Sequence, residues 1–76
     1  MELKTFIENF ASQFEETDMN EFSAKTKFKN LKEWSSLMAL NIIAMVDEEY
    51  NVAIKGKDIR ESETIEDLFN AVKSLK

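Results

Sequence analysis

Trp34-Ser35-Ser36-Leu37 opens the longest apolar helical pattern in the chain. A hydroxyl placed there stands at the mouth of a helix, where backbone N–H groups lack intrahelical acceptors and the dipole is positive. Such an end suits a phosphate. The 76 residues include no His and no Cys, so neither the usual base nor a thiolate is at hand. A serine without a base is a weak nucleophile, but its oxygen can be the point where another enzyme attaches a phosphate-linked group. The competing reading is that Ser36 is an ordinary capping serine, as Ser35 and Ser62 look to be, because serine oxygens readily accept orphan N–H bonds.

The rest of the chain offers little chemistry. Its single glycine excludes a glycine-rich phosphate loop. The densest acid run, Asp47-Glu48-Glu49, lies in a helical pattern, where consecutive carboxylates diverge and form neither a metal cage nor an acid–base pair. No calcium loop of acids around a central glycine is present. Neither catalysis nor a metal site is expected. The net charge of −5 disfavours nucleic acid as a partner. Lys25, Lys27, Lys29 and Lys32 nevertheless crowd just ahead of the serine pair. They read either as a basic collar that would draw an anionic group toward Ser36 or as a solvated loop.

Helices must position these residues. Leu3, Phe6, Ile7, Phe10, Ala11 and Phe14 repeat with the spacing of one buried helical face, and Glu15-Glu16-Thr17-Asp18 ends it. Asp18 to Ser35 reads as a long connection pinned by Met19, Phe22, Phe28, Leu31 and Trp34. A second helix is predicted from Ser36 to Tyr50. Its core side is read as Ala39, Leu40, Ile43, Val46 and Tyr50, and its opposite side as Met38, Asn41, Met45, Glu48 and Glu49. Methionines on an outer face suit an adaptable partner surface. Gly56 marks a turn, Lys57 to Glu61 a short helix with Ile59 inward. Thr64 and Asp67 form a capping-box start for a last helix with Ile65, Leu68, Phe69, Val72 and Leu75 inside.

No alternating strand pattern interrupts this order. The expectation is one domain over residues 1–76, an all-α four-helix bundle with three longer helices, one short helix and a long first loop. The apolar stretch from Leu37 to Val46 falls well short of the ~20 residues a membrane span needs, so no stable membrane association is expected. Met1-Glu2-Leu3-Lys4-Thr5 does not read as a secretory leader. A cytoplasmic monomer is expected.

The register around Ser36 resembles the acyl carrier protein family over nearly the whole chain. That family links 4′-phosphopantetheine to a serine within Asp-Ser-Leu at the start of its second helix, the place that Ser35-Ser36-Leu37 fills here. A family-like Phe28 stands eight residues before the serine. Glu49-Tyr50 resembles the end of the family's second helix, Ile54 falls in an apolar family position, and Thr64-Ile65-Glu66-Asp67-Leu68 matches the opening of its last helix, all without a gap. The chain departs from the pattern at Ser35, where an Asp is usual, at Trp34, where a small residue is usual, and at Leu31, one position early. Met38 and Asn41 stand where typical members often have acids.

The resemblance implies an acyl-carrier-like bundle that holds acyl groups as thioesters on an arm attached to Ser36. It implies a phosphopantetheinyl transferase as the modifying enzyme, and acyl-transferring and ketosynthase-type enzymes of fatty-acid or related lipid and polyketide synthesis as partners. Leu37, Met38, Asn41, Met45, Asp47 and Glu48 would form the partner face, drier than is typical. Ile43, Val46, Ile54, Ile59 and Leu68 would shelter the acyl chain, unless they are plain core. The alternative is a non-carrier helical adaptor that binds its partner through the second helix.

Overall fold

Phe6, Phe10 and Phe14 recur every fourth residue, so a helix stacks them into one stripe that must be buried. In the computed structural model, which describes residues 1–76, that helix is α1 (Leu3–Ala11). It stops earlier than the apolar spacing predicts. The Ser12 hydroxyl and the Gln13 amide both donate to the Asn9 carbonyl, at 2.7 and 3.2 Å, in place of the next helical N–H. Phe14 is still buried, carried inward by the turn that follows. The other helices are α2 (Ser36–Tyr50), α3 (Gly56–Arg60) and α4 (Ile65–Leu75), and no strand is present. Helix α1 packs on α4 and α2, and α3 bridges α2 and α4, so the four close around one core.

Aromatic rings carry that core from end to end. Phe69 of α4 meets Phe6 edge-on at 5.5 Å, Phe6 lies 6.5 Å from Phe10, Phe10 meets Phe28 at 5.3 Å, and Phe28 meets Trp34 at 5.0 Å. The chain between α1 and α2 thus inserts Phe22 and Phe28 into the bundle, each beside a short 3-10 turn (Met19–Glu21 and Phe28–Asn30). Met19, expected among the pinning residues, is instead exposed.

Polar ties hold the same segment. The N–H groups of Ile65 and Glu66, orphans of the first turn of α4, donate to Thr26 and Ala24 carbonyls at 3.2 and 3.0 Å. Lys25 Nζ pairs with Glu66 at 2.8 Å. The Thr64 hydroxyl accepts from Asp67 N at 3.1 Å, while the Asp67 carboxylate accepts from Thr64 N and Glu63 N. Every N–H at this helix start is therefore satisfied. Thr64→Ala is expected to lower stability by about 1 kcal/mol, read as a shift of the urea midpoint with unchanged slope. Ser62 is no cap: it is buried, and its hydroxyl donates to the Asp58 carbonyl at 2.8 Å.

Two carboxylates are held in their charged form by hydrogen bonds of the fold. The backbone N–H groups of Thr64 and Glu63 hold the Asp67 carboxyl below its ordinary value of 3.8. The Thr17 hydroxyl, helped by the Glu16 N–H at 3.0 Å, holds Glu33 below its ordinary 4.5. A group with a depressed folded-state pKa contributes stability that is complete above its unfolded value and disappears as pH falls through the folded one. The urea midpoint should accordingly stay level from about pH 7 to 5 and drop below the ordinary carboxylate range. Asp67→Asn should flatten part of that drop.

Candidate functional site

The start of α2 is built differently from that of α4. Ser35 lies in extended backbone (φ −159°, ψ 173°), and its hydroxyl accepts the Met38 N–H at 3.2 Å. This is the N-cap that the sequence suggests. Ser36, the first helical residue, keeps an exposed side chain outside that cap. The N–H groups of Ser36 and Leu37 donate to no acceptor in the protein. A hydroxyl therefore stands beside two unsatisfied donors at a positive helix end.

A groove of about 510 Å³ opens alongside this hydroxyl. Trp34, Ala39, Leu40 and Ile43 form one wall with Ser35 and Ser36, and Gly56, Ile59 and Arg60 of α3 form the other. Lys29 closes one side, with its Nζ donating to the Arg60 and Ile59 carbonyls at 3.0 and 3.4 Å. Three of the four lysines ahead of the serines are thereby parted, and Lys27 stays exposed. Lys25 goes to Glu66, Lys32 lies in a separate hollow with Glu16, Glu21 and Glu33, and Lys29 reaches the groove. Arg60, absent from the sequence-based site, supplies the second cation. Nothing local marks it, because the packing of α3 on α2 brings it there.

The orientation of α2 corrects the sequence reading. Ile42, Met45 and Val46 are its buried residues, roughly a quarter of a turn from the predicted core side at about 100° per residue. Met45, expected on the partner face, is only 5% exposed and belongs to the core, and Met38 is half-buried against that core. Leu40, expected inside, is 61% exposed, and Leu37 is 68% exposed. The reason is visible in the composition of the helix: apolar residues occur all round from Leu37 to Val46, so the pattern selects no face. The outer face consists of Leu37, Leu40, Asn41, Ala44, Asp47 and Glu48. Four of the six expected partner residues, Leu37, Asn41, Asp47 and Glu48, lie on it.

The five residues expected to shelter an acyl chain separate into two sets. Ile43 and Ile59 line the groove. Val46, Ile54 and Leu68 are packed in the core and line none of the surface hollows. No helix is long and apolar enough to cross a membrane. No protein-family model, curated protein or solved structure matches the chain.

Proposed function

We propose that the chain is an acyl carrier protein, its bundle arranged as in that family and its prosthetic arm attached at Ser36. The observation that carries this reading is the exposed Ser36 hydroxyl at the uncapped side of the α2 start, opening onto a largely apolar groove with two cations at its rim. The residues fit the arm's chemistry: free N–H groups of Ser36 and Leu37 for a phosphate, and Trp34, Leu40 and Ile43 for an apolar stem.

Attachment forms one bond, from Ser36 Oγ to the pantetheine-side phosphorus of coenzyme A. It breaks that phosphorus's bond to the bridging oxygen, releases 3′,5′-ADP, and passes the hydroxyl proton to a base of the transferase. This chain holds no His or Cys, so its own part is to present the oxygen. Once bound, the arm supplies a thiol that carries acyl groups as thioesters. The outer face of α2, apolar at Leu37 and Leu40 and acidic at Asp47 and Glu48, is the surface that acyl-transferring and ketosynthase-type enzymes would grip.

The test is intact mass after incubation with a phosphopantetheinyl transferase and coenzyme A. A gain of one phosphopantetheine on Ser36 supports the proposal. An unchanged mass overturns it and leaves the adaptor reading, for which the exposed Leu37 and Leu40 would be the contact.

A further inference from the structure

The groove beside Ser36 is cationic in a protein of net charge −5. Lys29 and Arg60 line it, and no carboxylate does. The short helix α3 and its C-cap sort their charges: Asp58 and the capping Glu61 line a different hollow with Asp67, while Arg60 lines the groove beside α2. The only ion pair in the molecule joins Lys25 to Glu66, so neither groove cation is neutralised by an acid. Lys29 is tethered and Arg60 is free of any protein partner. Lys29 Nζ is anchored on the last carbonyls of α3 with donor capacity left over, since an ammonium has three N–H groups. The Arg60 guanidinium lies back along its own helix against Gly56, where an added Cβ would stand 3.3 Å from Nη1. In the same lining, Trp34 exposes part of an indole that is braced edge-on by Phe28 at 5.0 Å. The groove therefore complements a ligand with one permanent negative charge and an apolar stem. Ser36 itself belongs to the lining, so a group esterified to it starts inside the groove.

We infer that the groove docks the attached arm itself: Lys29 and Arg60 hold its phosphodiester, and Trp34 with Leu40 covers the stem that follows. This rests on the carrier reading above and adds to it a resting state in which the arm lies against the protein rather than free in water. Charge-assisted contacts from a guanidinium and an ammonium to a phosphate oxygen are the strong class of hydrogen bond. They are partly open to solvent here, so the docked state is salt-sensitive and can be released when a partner arrives.

Trp34 is the only tryptophan and reports directly on this state. The experiment compares acrylamide quenching of Trp34 before and after arm attachment, with attachment verified by mass. It uses the wild-type chain, Arg60→Gln, and the Lys29→Gln/Arg60→Gln double variant. Arg60→Gln removes no hydrogen bond within the protein, so it keeps the test open if loss of Lys29 loosens α3. In the wild type, attachment should shield Trp34, and raising salt to about 1 M, where the Debye length is about 3 Å, should remove most of the shielding. Arg60→Gln should lower the docked-to-free ratio about threefold, the effect expected for loss of one solvent-exposed charge contact. A gain in mass without shielding, or shielding unchanged in Arg60→Gln and at high salt, overturns this inference alone. No gain in mass overturns the carrier reading and this inference with it.

Discussion

Ser36→Ala is expected to fold as the wild type does and to gain no mass from a transferase and coenzyme A. The side chain is exposed and takes no part in the cap, which belongs to Ser35, and alanine is at least as good a helix residue as serine. On the proposed reading the loss of modification should be complete, while the helical spectrum is unchanged and stability stays within about 0.5 kcal/mol of wild type. Ser35→Ala is the informative companion. It leaves the Ser36 oxygen in place but removes the acceptor for the Met38 N–H, so stability falls by about 1 kcal/mol and modification persists. If Ser36→Ala is still modified, or if Ser35→Ala is the variant that stays bare, the attachment point has been assigned to the wrong hydroxyl.

The second large effect is on folding. Phe10 is wholly buried and touches Phe6, Phe14, Phe22 and Phe28, joining α1 to the long first loop. Truncation to alanine removes the ring and leaves a void that its aromatic neighbours can fill only by shifting, at a cost of about 3–5 kcal/mol. A domain this small has a total stability at the low end of the usual range, about 5 kcal/mol. Phe10→Ala should consequently lose its cooperative urea transition at room temperature, or show a midpoint close to zero denaturant. Phe10→Leu, which refills much of the volume, should retain one. A Phe10→Ala protein with a near-native midpoint would mean that the aromatic path does not carry the core.

The parts of this fold that were legible in the sequence are those where polar and apolar residues segregate. Helix α4 follows its pattern from the Thr64–Asp67 cap through Val72, with only Leu75 ending up exposed. Helix α1 follows it through Ala11, after which the Ser12 and Gln13 side chains stop it. The extent of α2 was equally clear, but its rotation was not, because leucines, isoleucines and methionines surround it; Met45 and Leu40 exchange the places expected of them. The first loop was legible as a loop, and Phe22 and Phe28 as its anchors. Its polar ties were not, since Lys25–Glu66 and Lys29–Arg60 join residues far apart in sequence. For the same reason the sequence shows, ahead of α2, only a serine and a loose lysine collar. The groove, and Arg60 within it, exist only once α3 is packed against α2.

The lysine tether on the final carbonyls of α3 has a bearing on how the molecule breathes. A helix of five residues has too few internal hydrogen bonds to persist alone. Its survival rests on Ile59 below it, the loop above it and the Asp58 carboxylate that accepts the Lys55 N–H at 2.8 Å. Such a segment can open locally while the three long rods stay assembled. The cleft beside α2 thus has one stiff jaw and one yielding jaw, and its width is set by the latter.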